Sequence, residues 1–170
     1  TLPSEIRYTD SFQMVADFAS DILLLATPSQ FIRSTLRMIP EDIARKLWGS
    51  ETLLAIVNVA KGIEEQSLKT IDKILFDELP QKLHSKICAL SGPSHAEEVA
   101  RQIPTTVVVA GTNEELLKTL QEVFSNDYFR VYRSADLVGV EIGGAIKNII
   151  AIAAGIVSGL GFGDNTMGAL

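Results

Sequence analysis

Short runs of apolar residues alternate along the chain with segments whose apolar positions recur every three or four residues. The runs at 21–26 (DILLLA), 53–59 (LLAIVNV), 87–90 (ICAL) and 105–110 (TTVVVA) are apolar at odd and even positions alike. That is the pattern of parallel strands covered by helices on both faces. Between them Leu68, Ile71, Ile74, Leu75 and Leu79, and then Leu116, Leu117, Leu120 and Phe124, fall at helical spacing and predict crossover helices. Ser94 with Glu97, and Thr112 with Glu115, have the spacing of capping boxes, which predicts a helix start at each. A last strand is expected at 128–132 (YFRVY). From about Ala135 the chain reads as one long helix rich in Gly, Ala and Ile. The expected fold is therefore α/β: residues 1–134 form part of a Rossmann-like, mostly parallel sheet domain, and residues 135–170 begin an all-helical domain.

Composition narrows the class. With 46% hydrophobic and 21% charged residues among 170, the chain is neither disordered nor collagen-like. Fifteen Lys and Arg stand against 21 Asp and Glu, a net charge of −6. This is the opposite of the basic footprint that phosphate-backbone binding requires, so nucleic acid is not an expected partner. Cys88 is the single cysteine; it allows no internal disulfide and no structural zinc set, and a reducing, cytoplasmic location is expected. The opening TLPSEIRYTD has neither the basic region nor the apolar core of a signal peptide. The longest uncharged stretch, 148–163, has sixteen residues with four glycines, whereas a membrane span needs about 20. It is expected to be a buried helix and the loop after it.

An α/β nucleotide-binding domain normally opens with a strand and a Gly-rich turn, where backbone N–H groups and a helix N-terminus hold a pyrophosphate. No GxGxxG precedes the first apolar run, and GVEIGG at 139–144 follows no such strand and turn. The chain is accordingly expected to be a fragment that starts after that half of the domain and stops within the helical one.

Four loops follow the expected strands, where open α/β sheets place their ligands: Thr27-Pro28-Ser29, Ala60-Lys61-Gly62, Ser91-Gly92-Pro93-Ser94 and, less clearly, Gly111-Thr112. Pro28 and Pro93 can simply initiate helices. Ser94 can be an N-cap, at a helix end that also suits an anion. Lys61 stands directly after an apolar run, as a solvated loop lysine or as a cation at the sheet's carboxyl edge. Lys147 is the one charge between Glu141 and Asp164 and has Ile146, Ile149 and Ile150 as neighbours. Such a lysine either snorkels to water or is held at a cleft that disfavours its charge. Gly143 and Gly144, one turn earlier, leave room for a ligand or a backbone. His84 and His95 are expected to be structural, and Asp164-Asn165 reads as a turn or helix cap.

The segments 60–64 (AKGIE), 90–100 (LSGPSHAEEVA), 143–152 (GGAIKNIIAI) and 159–166 (GLGFGDNT) together resemble the NAD(P)-dependent glycerol-3-phosphate dehydrogenase family of bacterial type. The resemblance extends over essentially all of the chain and about the middle half of a family member. It implies hydride transfer between NAD or NADP and the pair dihydroxyacetone phosphate and sn-glycerol 3-phosphate, feeding glycerophospholipid synthesis. It also implies roles. Lys147 would be the catalytic lysine, accepting the C2 hydroxyl proton or returning it. Lys61 would touch both substrate and cofactor; Gly92, Ser94 and Asn148 would line the substrate site; Pro28 and Ala96 would lie at the cofactor. Burial of Lys147 among isoleucines, with a second ammonium at Lys61, would favour the neutral amine a general base needs. A homodimer would resemble the family, and the Gly- and Ala-rich helix can pack closely against another.

His95 stands where the family commonly has Phe, and Met167-Gly168 replace the more usual Lys-Ala. Two other readings stay open from the sequence: a two-domain dehydrogenase of the 6-phosphogluconate or hydroxyacyl type, and a non-catalytic α/β module without cofactor binding.

Overall fold

Each of the four apolar runs, and the segment expected as a last strand, forms a strand. In the computed structural model, which describes residues 4–18 and 20–170, they are β1 (Ile22–Leu25), β2 (Ala55–Asn58), β3 (Ile87–Ser91), β4 (Thr105–Gly111) and β5 (Phe129–Ser134), paired in that order in one sheet. Residues 1–3 of the N-terminal segment read above lie outside the described residues. β1, β2 and β3 are parallel, with Leu23 opposite Ile56 and Ile56 opposite Ile87. β4 then runs antiparallel to β3, placing Val108 beside Ser91 and Gly111 beside Cys88, and β5 is parallel to β4. The all-parallel reading of the first four runs is thus corrected at β4. Among the described residues, the only helix between β3 and β4 is α5 (Ala96–Ala100), five residues long. It rises about 7.5 Å, against roughly 16 Å for a five-residue strand, so the chain turns back instead of crossing over.

The remaining helices are α1 (Phe12–Asp17), α2 (Ile32–Arg37), α3 (Glu41–Gly49), α4 (Ile71–Glu78), α6 (Glu114–Phe124), α7 (Leu137–Gly159) and α8 (Asp164–Ala169), with single 3₁₀ turns at Ser29–Phe31 and Gln81–Lys86. Alternate strand residues face opposite sides of a sheet, and two cores result. Ile56 and Ile87 pack with Ile32, Trp48, Ile71, Ile74 and Leu75 on one face. Val57, Cys88, Val107 and Val109 pack with Leu117 and Leu120 on the other. β1 is one of the two edge strands, and its Leu24 is 49% exposed, so the expected burial on both faces does not extend to it.

Two helix starts differ from the capping boxes. α6 is capped by Asn113, whose side chain accepts from the Leu116 N–H at 3.2 Å, not by Thr112. α5 begins after His95, with no side-chain cap; the Ser94 backbone N–H and hydroxyl instead both donate to the Gly92 carbonyl. Leu68 shares the helical spacing of α4 but lies outside it, exposed and in the left-handed region at φ 55°, because α4 starts only at Ile71.

The reversal at β4 decides where the last helix goes. β5 ends at the edge where β3 begins, since Ser134 pairs with Ala110 and Ala110 with Ala89. To pass this sheet α7 must run back toward the carboxyl ends of β1, β2 and β3. Asp136 caps it, accepting from the Gly139 N–H at 2.8 Å. It lies over two small residues, Ala89 and Ala110, against which Leu137 and Val140 pack. Beyond the sheet α7 continues unsupported. The expectation that 148–163 is buried is overturned, because Ile149, Ile152 and Ile156 are 65%, 65% and 57% exposed. α7 takes in residues 148–159 of that uncharged stretch and starts eleven residues before it. Its 23 residues are, by length and composition alone, enough to cross a membrane: an 18-residue window within them has a mean hydropathy of 1.7 and is 11% buried.

Candidate active site

The cleft with which the sequence-derived candidates coincide opens where α7 passes the carboxyl ends of β2 and β3. Its cavity of about 350 Å³ is lined by Lys61, Ser91, Gly92, Pro93, Val108, Val140, Gly143, Gly144 and Lys147. Lys61 arrives on the loop after β2, Gly92 and Pro93 on the loop after β3, and Lys147 on α7. Three of the expected residues, Lys61, Gly92 and Lys147, therefore meet although 86 positions separate the first from the last (147 minus 61).

Two glycines make the close approach of these elements feasible. A Cβ on Gly144 would come within 2.8 Å of the Ser91 hydroxyl and 3.4 Å of Lys61 Cγ. One on Gly92, at φ +156°, would lie 2.8 Å from the Val107 Cα. Gly144 thus lets α7 lie against the stem of Lys61, and Gly92 lets the β3 loop cross the neighbouring strand. Gly143, by contrast, has open space beside it and leaves the cleft wall free of a side chain.

Lys61 is half-buried, and its ammonium is held below the ordinary lysine range, first by burial and then by repulsion from the Lys147 ammonium. Lys147 itself is exposed, as are Ile146, Ile149 and Ile150 at 40%, 65% and 46%. The expected burial of Lys147 among isoleucines is absent, because the described residues place nothing over this part of α7. Ser94 sits just beyond the cleft, its hydroxyl turned back onto the Gly92 carbonyl at 3.5 Å. Asn148 follows Lys147 on the exposed face of α7, and Ala96 is exposed at the start of α5. Pro28 is exposed after β1; its carbonyl accepts from the Phe31 N–H at 2.9 Å. Its neighbour Ser29 is buried under Gly62, where a Cβ would come within 2.9 Å of the Ser29 Cβ. The loops after β1 and β2 consequently touch, but Pro28, Ser94, Ala96 and Asn148 do not line the Lys61–Lys147 cleft. Gly111-Thr112, the fourth candidate loop, lies at the opposite edge of the sheet because β4 runs the other way.

Sequence reasoning missed Val108 and Val140 as cleft walls, and Glu141 altogether. Glu141 is 6% exposed on α7; it accepts from Asn58 Nδ2 at 2.9 Å and from the Asp72 backbone N–H at 3.0 Å. Burial raises its carboxyl pKa above the usual range, and the neighbouring Asp72 carboxyl adds to this. Its signal was present as the only acidic residue within the apolar run of α7. The His84 ring packs against Phe76, with centroids 4.6 Å apart and the planes tilted by 31°. Burial pushes the Cys88 thiol up to about 12, so it is not a reactive nucleophile. No group of three or more potential metal ligands occurs among the described residues.

A five-stranded α/β sheet with a glycine-floored cleft at the carboxyl ends of its parallel strands has the architecture of a dinucleotide-dependent dehydrogenase. Residues 1–117 match the family model described as the NAD-dependent glycerol-3-phosphate dehydrogenase N-terminus, and residues 136–170 match its C-terminus. The chain belongs to the NAD-dependent glycerol-3-phosphate dehydrogenase family. It is 50% identical over 169 residues to a glycerol-3-phosphate dehydrogenase [NAD(P)+] of Fusobacterium nucleatum, covering 99% of this chain and 48% of that protein. Among solved structures, the glycerol-3-phosphate dehydrogenase of Coxiella burnetii is 32% identical with a TM-score of 0.66, over 88% of this chain and 42% of that one. The Saccharomyces cerevisiae enzyme is 27% identical with a TM-score of 0.74, over 99% and 48%. The chain spans about half the length of the curated relatives that it matches.

Proposed function

We propose that this chain provides the two-lysine cleft of an enzyme that interconverts dihydroxyacetone phosphate and sn-glycerol 3-phosphate with NAD or NADP, in the cytoplasm, for glycerophospholipid synthesis. The observation that carries the reading is the meeting of Lys61 and Lys147 across a floor of glycines. Two cations in one cleft suit a dianionic substrate. In the oxidising direction Lys147, as the neutral amine, accepts the proton of the C2 hydroxyl. In the reducing direction its ammonium polarises the C2 carbonyl and delivers that proton, neutralising the charge that develops on oxygen. Lys61, at the end of β2, holds the substrate by charge and leaves its apolar stem against Gly144.

The cleft fits the nicotinamide end of a dinucleotide. Gly143, with open space beside it, leaves unsubstituted surface on the cleft wall, while Gly92 and Gly144 let the β3 loop and α7 come close enough to shape that cleft. A bound nicotinamide supplies the two-electron donor or acceptor for C2. Pro28 and Ala96 are assigned to the more distant parts of the cofactor, and Gly92, Ser94 and Asn148 to the substrate side.

The fold divides in this reading near Ser134. Residues 1–134 belong to the dinucleotide-binding domain and residues 135–170 open the helical domain, whose further helices cover the isoleucines of α7. Entry of α7 into a protein core instead of a bilayer is supported by Glu141, which fixes its first half to β2 and α4. Close helix pairing along its Gly and Ala positions suits a homodimer as well.

The test is an assay of an enzyme of the relatives' full length carrying this sequence, with NADH or NADPH and either dihydroxyacetone phosphate or unphosphorylated dihydroxyacetone. The account predicts oxidation of at least one nucleotide with the phosphorylated ketone and at least about a hundredfold lower kcat/KM without the phosphate, roughly 2.7 kcal/mol. Equal turnover of the two ketones contradicts the anion-cleft reading.

A further inference from the structure

The polar groups that the proposed chemistry does not use are concentrated where α7 crosses the end of β2 and the start of α4. Asn58, Asp72 and Glu141 are 2%, 1% and 6% exposed, and polar groups so buried are costly unless they are bonded. Every bond there has a direction. The Asn58 amide donates to Glu141 Oε1 at 2.9 Å and, at 3.3 Å, to the Ala60 carbonyl, while its Oδ1 accepts the Ala60 N–H at 2.9 Å. Glu141 Oε2 takes the Asp72 backbone N–H at 3.0 Å. The Asp72 carboxylate is itself held by the Thr70 hydroxyl and by Lys73 at 3.3 Å.

The residue bracketed by Asn58 is the one before Lys61. On the other side, Glu141 and Gly144 are three positions apart on α7 and share a face, and Gly144 is where the helix meets the Lys61 stem. Lys147 follows Glu141 by six residues, about 9 Å along the helix. Leu137 and Val140 already supply apolar burial to this half of α7. Such burial is non-directional and does not set the helix's rotation, whereas two donors from two different elements on one carboxyl group do.

We propose that Asn58 and Glu141 are positioning residues, a clasp through which α7 holds the Lys61 loop at a fixed distance from Lys147. This deepens the two-lysine reading and rests on it. Neither residue touches substrate; they act through the lysines.

The clasp can be inverted without being removed. In Asn58→Asp a carboxylate faces Glu141 where a donor stood. In the double variant Asn58→Asp/Glu141→Gln, the new amide on α7 donates to the carboxylate introduced at the end of β2 and accepts from the Asp72 N–H. That introduced carboxylate still accepts the Ala60 N–H. In the full-length enzyme, Asn58→Asp is expected to lower kcat at least about tenfold while the KM for the cofactor stays within about twofold. The double variant is expected to return to within about threefold of the parent. Circular dichroism and Tm identify the folded variants. If Asn58→Asp does not fold, Glu141→Gln takes its place in the comparison and must be less active than the double variant. Parental kcat in either folded single variant, or no recovery in the double, overturns the clasp.

A second readout needs no turnover: the titration of Lys61 in Glu141→Gln, followed by ¹³C NMR of reductively methylated protein and assigned with Lys61→Arg. Removing a carboxyl group alone would favour the neutral lysine. Loosened spacing relieves repulsion from Lys147 and moves the Lys61 midpoint up toward the ordinary lysine range, and that rise is the predicted result. An unmoved or lowered midpoint overturns the clasp. A parent enzyme that does not reduce dihydroxyacetone phosphate sinks the functional reading instead, and the NMR comparison then decides the clasp by itself.

Discussion

The two halves of α7 are both largely apolar, with one charged residue each, and they stand in opposite circumstances. From Leu137 to about Gly144 the helix lies on Ala89 and Ala110, with its carboxyl group at Glu141 buried and bonded to two other elements. From Ile146 onward its isoleucines are bare, with Ile149 and Ile152 each 65% exposed. Glycine occurs in both, with valine prominent in the first half and isoleucine and alanine in the second. The difference comes from what stands opposite, the face of the sheet at β3 and β4 in one case and nothing among the described residues in the other. Lys147 lies at the junction, where a rigidly held segment gives way to one that awaits a partner. An apolar helix face of this extent is larger than a soluble domain normally leaves uncovered. Lys147 is therefore fixed from one side by the near half of α7 and left open on the other among the described residues.

Substitutions along α7 can break this contrast. Leu137→Ala should cost most, about 2–5 kcal/mol of unfolding free energy, because it removes the buried side chain that seats the helix on the sheet. Urea denaturation followed by circular dichroism measures it, and a loss under about 1 kcal/mol would mean the near half is not anchored there. Lys147→Ala comes next: kcat in the full-length enzyme falls at least about a hundredfold, roughly 2.7 kcal/mol in the barrier, with cofactor affinity nearly unchanged by fluorescence titration. Lys61→Met is smaller. Steady-state kinetics should show the KM for the phosphorylated substrate rising about tenfold, roughly 1.4 kcal/mol, and more than that for the cofactor. If only kcat moves, Lys61 does not anchor the substrate by charge. Ile152→Ala, whose effect in the 170-residue chain is the smallest, sharpens the comparison best. In the 170-residue chain it should shift stability by less than about 0.5 kcal/mol, and in the full-length enzyme by about 2 kcal/mol or more. Equal effects in both settings would show that no helix covers the far half.

The strand positions were legible because runs such as 53–57 and 107–110 are apolar at consecutive positions, as strands covered on both faces require. The direction of β4 was not. Val107 and Val109 pack identically in a parallel or an antiparallel neighbour, and the reversal depends on the shortness of α5, which the apparent capping box at Ser94 disguised. That box failed because Ser94 uses its hydroxyl and N–H on Gly92, leaving His95 at the helix start. At the site, Lys61, Gly92 and Lys147 were legible from loop position, isolated charge and motif. Glu141 was visible as a charge in an apolar run, but its meaning depends on Asn58 and Asp72, 83 and 69 positions away, and no local pattern encodes contacts of that range. The exposure of Lys147 was misread for a related reason: the isoleucines beside it announce a buried helix, and the partners that would bury it are not among the described residues.

The central claim is that the Lys147 amine transfers the proton at C2, and chemical rescue tests it most directly. In Lys147→Ala the missing Nζ leaves space beside Gly143, where a small primary amine can enter. Full-length Lys147→Ala enzyme would be assayed for glycerol 3-phosphate oxidation at fixed pH and ionic strength with increasing methylamine or ethylamine. The account predicts that kcat rises in proportion to the free-base concentration and, across a series of amines, with their basicity, as general base catalysis requires. A variant that retains more than about a tenth of the parent turnover without amine, or a crippled variant that no amine restores, contradicts the assignment of the proton to Lys147.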